Sequence, residues 1–196
     1  MRGWSRDALG PHIGYLPQDI ELFEGSIAEN IARFGQVDSA QVIAAARMTG
    51  LHEMILRFPK GYDTPIGEAS GMLSGGQRQR IGLARAVYGQ PKLVVLDEPN
   101  ANLDDEGEAA LLRAVQQLRA SGAMVLLVTH RPGALAAADQ VVVMRDGHIH
   151  AQGPRDLVLV GLQAEAEERK RVQALQRLKA QKGPSGHVVG SSGLLG

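Results

Sequence analysis

Two short apolar runs, Leu93 to Leu96 and Met124 to Val128, do most to restrict what this chain can fold into. The first is bounded by Pro91 and by Asp97-Glu98-Pro99, and the second is followed by Thr129-His130. Runs of this kind predict strands buried on both faces. An amphipathic stretch from about Glu106 to Arg119 separates them and predicts a helix. Strand, helix and strand in that order imply a right-handed crossover and a parallel sheet, so the fold class is α/β. In open parallel sheets the ligand lies beyond the carboxyl ends of the strands. Asp97, Glu98 and His130 fall there.

The remaining segments fit around this unit. Ile13 to Leu16 is a short apolar-rich piece followed by Pro17-Gln18, which places Gln18 at a strand end. Ser26 stands three residues before Glu29, a capping-box spacing that predicts a helix beginning near Ile27. Apolar residues between Ser39 and Arg57 recur at three and four residue steps and predict two helices broken at Thr49-Gly50. The stretch "FPKGYDTPIGEASGM" is rich in Gly and Pro and reads as loop. A helix from Ser74 to about Tyr88 follows, ended by Gly89-Gln90-Pro91. Asp146-Gly147 is a hairpin signal between two short strands, expected to close the edge of the sheet. After Gly161 the composition shifts to a charged helix and a flexible end.

Several function classes are excluded by composition. Twenty-one basic residues balance twenty-one acidic ones, so no overall field draws the chain to nucleic acid or anionic lipid. Arg78, Arg80 and Arg85 cluster in one helix, but without an aromatic platform for bases, and no nucleic-acid partner is expected. With no cysteine there is no disulfide, zinc knuckle or thiol catalysis. No apolar run reaches the roughly 18 residues that span a bilayer, and "MRGWSRDALGPH" lacks a signal peptide's apolar centre.

Two constellations carry chemistry. In Ser74-Gly75-Gly76-Gln77 the glycines let backbone approach a phosphate, Ser74 can cap the helix, and the helix N-terminus offers free N–H groups to an anion. A plain capped helix accounts for the same tetrapeptide. Asp97-Glu98 places two adjacent carboxylates at the end of a buried strand, where they need a cation or hydrogen bonds to stay charged. In nucleotide hydrolysis the pair divides naturally: Asp97 holds Mg²⁺ and Glu98 polarises the attacking water. A solvated acidic loop is the alternative. His130 and Gln18 are ordinary loop residues taken alone; His130 gains interest from its expected position beside Glu98.

Taken in order, "YLPQ", "LSGGQRQR", "LVVLDEP", "NANLD" and "LVTH" resemble the Q-loop, signature motif, Walker B, D-loop and H-loop of an ABC-transporter nucleotide-binding domain, over residues 13 to about 155. The stretch "IGYLPQDIELFEGSIAENIARFG" is similar to type I secretion exporters, which move proteases, lipases or related polypeptides out of Gram-negative bacteria. The resemblance implies a partial P-loop-type ATPase domain over residues 1–160, with a helical subdomain at about 24–90, and a charged helix and tail over 161–196. It implies ATP and Mg²⁺ as ligands. Gln18 would meet Mg²⁺ and the attacking water. Ser74, Gly75, Gly76 and Gln77 would grip the γ-phosphate bound on the opposite subunit of a head-to-tail dimer. Asp97 would bind Mg²⁺ through water, Glu98 would be the general base, Asp104 would act across the dimer, and His130 would contact the γ-phosphate. The implied partners are a second ATPase subunit, the exporter's transmembrane domain, a periplasmic adaptor and an outer-membrane channel. The implied location is the cytoplasmic face of the inner membrane.

One part of that pattern is missing. P-loop nucleotidases cradle phosphate with GxxxxGK[ST]. The lysines of this chain, Lys60, Lys92, Lys170, Lys179 and Lys182, follow Pro, Pro, Arg, Leu and Gln, never Gly. The sequence is therefore expected to be the C-terminal part of a longer exporter, without its N-terminal strands and inactive alone. A regulatory or decoy subunit completing a partner's site, or an ABC ATPase of another transport system, are the competing expectations.

Overall fold

A computed structural model describes residues 5–69 and 71–181, so the flexible end expected at 183–196 lies outside the described residues. The chain divides into two compact units at Ala137/Ala138. In the first, β1 (Ile13–Leu16), β2 (Leu93–Asp97) and β3 (Met124–Val128) form a parallel sheet in the order β1-β2-β3. The α/β class and the parallel sheet expected from the two apolar runs are both present. Register sets Leu16 beside Leu96 and Asp97 beside Val128, so the three strands end together.

Helices α1 (Arg6–Leu9), α2 (Ile27–Ile31), α3 (Ser39–Met48), α4 (His52–Ile55), α5 (Ile66–Ala69), α6 (Gly75–Val87) and α7 (Asp105–Ala120) complete this unit. Ser26 and Glu29 form the expected capping box ahead of α2, and α3 and α4 are the expected pair broken at Thr49-Gly50. The stretch read as loop over 58–72 contains a 3-10 turn, Gly61–Asp63, and α5. Its local spacing explains this: Ile66 and Ala69 share one face and are 7% and 0% exposed. Gly14 lets β1 lie against α6, since a Cβ there would overlap the Ala86 carbonyl.

Leu16, Val94 and Leu96 are buried in one core with Ile81, Leu83, Leu111 and Leu118 from α6 and α7. Side chains alternate across strands, and on the other face Tyr15, Met124, Leu126 and Val128 are 54%, 71%, 55% and 47% exposed. This corrects the reading of β2 and β3 as buried on both faces. Among the described residues, helices cover one face only.

The second unit holds β4 (Gln140–Arg145), β5 (His148–Pro154) and α8 (Arg155–Gln181). Asp146 and Gly147 have φ of 50° and 75°, the double left-handed turn that matches strand twist in a two-residue hairpin. The hairpin does not extend the parallel sheet as expected; β4 and β5 form a two-stranded antiparallel sheet. The charged helix begins at Arg155, earlier than composition suggested, because its first turn buries Val158, 8% exposed, beside Gly153 of the hairpin.

Candidate functional site

The parallel register assembles the candidate residues at one edge. Gln18 follows β1 and is exposed, Asp97 ends β2, and His130 follows β3. Glu98 continues the ladder by one bond, its N–H donating to the Val128 carbonyl at 2.9 Å. Its φ is then +46°, a left-handed conformation that costs a non-glycine residue about 1–2 kcal/mol. The Ala101 N–H donates to the Glu98 carbonyl at 3.1 Å and closes a tight turn. This turn aims the Glu98 carboxylate at His130, with Oε1 2.7 Å from Nδ1. The Glu98 side chain is 14% exposed and that of His130 is 79% exposed. Against an ionised carboxylate Nδ1 must be the donor, which leaves Nε2 to the solvent side.

Glu98 Oε2 is buried and has no hydrogen-bond partner. A buried carboxylate oxygen without a donor is costly, and a bound water or substrate hydroxyl would satisfy it. No group of three or more His, Cys, Asp or Glu among the described residues is arranged to hold a metal. Mg²⁺ needs no such group, since it is held by one or two carboxylates with substrate phosphates and waters. Asp97, partly exposed at the strand end, is the carboxylate available for it.

The glycine turn is both a capped helix and an anion-ready one. Ser74 Oγ accepts from the Gln77 N–H at 3.2 Å, and Gln77 Oε1 accepts from the Ser74 N–H at 2.9 Å, a reciprocal capping box. Geometry leaves the Gly75 and Gly76 amides without an intrahelical acceptor. Asp104 caps α7, its Oδ1 accepting from the Gly107 N–H at 2.8 Å. The sequence disclosed Ser74 as a cap, but neither its reciprocal bond with Gln77 nor the cap at Asp104.

Three further residues were missed. Asn100, 3% exposed, accepts from Thr129 Oγ1 at 3.4 Å, and Thr129 Oγ1 accepts from the Arg131 N–H at 3.1 Å. Arg131 also pairs with Glu108 at 2.9 Å. This chain links the turn after β2 to the turn after β3. Only the habit of Asn to bond backbone and side chains within tight turns hinted at it.

A parallel sheet ending in adjacent carboxylates, with a glycine turn opening the helix packed against it, is an α/β domain whose candidate site lies at the strand ends. The chain belongs to the ABC transporter family, whose profile matches residues 1–101. It is 55% identical over 157 residues to the type I secretion system ATP-binding protein PrsD of Rhizobium meliloti (strain 1021), covering 80% of this chain and 27% of that protein. It is 40% identical over 172 residues to the cyclolysin secretion/processing ATP-binding protein CyaB of Bordetella pertussis (strain Tohama I), covering 86% of this chain and 23% of that one. A solved bacterial Atm1-family ABC exporter with ATP bound matches with a TM-score of 0.73 and 32% identity, over 85% of this chain and 30% of that chain. The chain thus spans about a quarter of the length of the relatives it matches. No helix among the described residues is long and apolar enough to cross a membrane.

Proposed function

We propose that this chain carries the hydrolytic and signature parts of the ATPase domain of a type I secretion exporter. The observation that carries the reading is the Glu98 carboxylate, held by His130 on one oxygen and left buried and unpartnered on the other. In this reading Glu98 takes the proton of the attacking water and His130 orients the carboxylate while its outer nitrogen meets the γ-phosphate. Gln18 positions the water from the neighbouring strand end. Bound Mg²⁺, held through Asp97 and Gln18, would neutralise phosphate charge. Ser74, Gly75, Gly76 and Gln77 bind the γ-phosphate held by a second, head-to-tail ATPase subunit, and Asp104 acts across that dimer. The segment "ELFEGSIAENI" meets the transmembrane domain, which places the unit on the cytoplasmic face of the inner membrane, with a periplasmic adaptor and an outer-membrane channel completing the path. The similarity to PrsD and CyaB, both named for secretion, supports the transport role.

Since no lysine here follows a glycine, the phosphate loop is expected to come from outside residues 1–196. Glu98→Gln in the assembled transporter should lower turnover by about 10²–10⁴-fold with ATP still bound. Unchanged turnover would remove Glu98 from the chemistry. The purified chain alone should neither hydrolyse ATP nor bind it tightly. A second reading, a subunit that only completes a partner's site, is favoured by a fully formed Ser74–Gln77 capping box in a chain without a Gly-Lys pair. It predicts that adding the chain stimulates hydrolysis by a partner even when Glu98 is replaced.

A further inference from the structure

One face of α6 touches the segment from Glu98 to Asp104 at two points. At Gly76 there is no room for a side chain, because a Cβ would stand 2.8 Å from the Asn102 carbonyl oxygen and 3.9 Å from the Leu103 Cα. One turn later Gln79, 2% exposed, donates from Nε2 to the Glu98 carbonyl at 3.4 Å. Residues three and four apart share a helix face. Arg80 extends that face, with Nη1 3.4 Å from the Gly50 carbonyl and 3.9 Å from the Glu106 carboxylate in the first turn of α7.

Packing alone does not call for a glutamine at position 79, since a buried amide is unfavourable unless hydrogen-bonded. Its partner is the carbonyl of a residue in a strained conformation. Glu98 holds a left-handed φ of +46°, and the same carbonyl closes the turn by accepting from Ala101. Rotation of that peptide would relieve the strain and swing the carboxylate off His130.

We propose that Gln79 is a positioning residue for Glu98: its amide holds the Glu98 peptide in the conformation that directs the carboxylate to His130, and so ties the base to the helix that opens at Ser74. The inference rests on the reading of Glu98 as general base. Its consequence is communication between half-sites. A displacement of α6, when the glycine turn takes phosphate from the opposite subunit, reaches this subunit's own Glu98 through one buried side chain.

The test uses NMR on the 196-residue chain, carrying the Met124→Lys and Leu126→Lys changes that keep its exposed sheet face from associating, and turnover in the assembled transporter. With Gln79 unmutated, its Nε2 protons should exchange slowly with solvent; rapid exchange overturns the proposal without any variant at that position. Gln79→Met keeps volume and removes the donor. It should move the Glu98 carbonyl ¹³C resonance and raise Ala101 amide exchange about tenfold, with the Ser74 and Gln77 amides unchanged. In the transporter kcat should fall about tenfold with KM within about twofold. Unaltered Glu98 and Ala101 signals, or a loss confined to KM, would sink the idea. Glu98→Gln is assayed in parallel. If it abolishes turnover while Gln79→Met leaves kcat intact, only the positioning role fails. If it retains turnover, the base assignment fails, and the NMR result decides the Gln79 contact by itself.

Discussion

Gly75 and Gly76 look interchangeable in the sequence, both serving close approach to phosphate, yet the structure separates them. A Cβ at Gly75 would meet Asn102 Cβ at 3.6 Å, ordinary contact, whereas at Gly76 it would press on backbone at 2.8 Å. Backbone held by the Asp104 cap cannot swing aside as a side chain would. Gly76→Ala should therefore destabilise the chain by about 1–3 kcal/mol through overpacking. Gly75→Ala should be neutral or stabilising by up to about 1 kcal/mol, because alanine is the better helix former. Urea denaturation of the two variants checks the difference, and equal effects would mean that the Asn102 contact is not rigid. Spacing and residue type placed Asp97, Glu98 and His130 together at the strand ends, and the Glu98–His130 contact is there. They did not disclose what Gly76 and Gln79 touch, since that depends on how tightly a distant turn is pressed against the helix.

Helix ends show the same division between what is local and what is not. The Ser26-Glu29 box was legible because both partners lie within one turn. The Ser26 N–H donates to Glu29 Oε2 at 2.7 Å, and the Ser26 hydrogen bonds hold the Glu29 carboxyl below its ordinary 4.5. A carboxyl lowered on folding stabilises the fold above its unfolded value, and that contribution is lost as pH falls through the folded one. Thermal melts should therefore show a loss of stability on the acid side of 4.5, reduced in Glu29→Gln; identical slopes would argue against the capping box. The other end of α6 was not legible. Arg33 donates to the carbonyls of Arg85, Ala86 and Tyr88 at the helix terminus, and to Gly10 and Ile13 before and within β1, all between 2.9 and 3.1 Å. Its partners lie far away in sequence, so no window reveals them. Arg33→Ala removes a charged donor set from several carbonyls and should cost about 3 kcal/mol in urea denaturation. Arg33→Lys should recover little of it, because one ammonium cannot reproduce the planar fork.

At the scale of the molecule, sequence period disclosed the strands and their parallel sense but misjudged their surroundings. An uninterrupted apolar run signals a strand whose two faces are both dry, yet Tyr15, Met124, Leu126 and Val128 are exposed together on one face. Register aligns Tyr15, Val95 and Leu126 in one cross-strand row, so the exposed side chains form a continuous surface rather than scattered residues. The apolar pattern therefore records a covered face that the described residues do not supply. Contiguous apolar surface of this kind drives association in water, and among the described residues β3 adds an unpaired strand edge beside it. The purified chain should self-associate with rising concentration and bind an apolar dye such as ANS. A double variant, Met124→Lys with Leu126→Lys, changes only exposed positions and should reduce both signals while leaving helical circular dichroism unchanged. Light scattering and dye fluorescence across a concentration series decide it: a monomer that binds no dye at any concentration would show that this face is covered in solution.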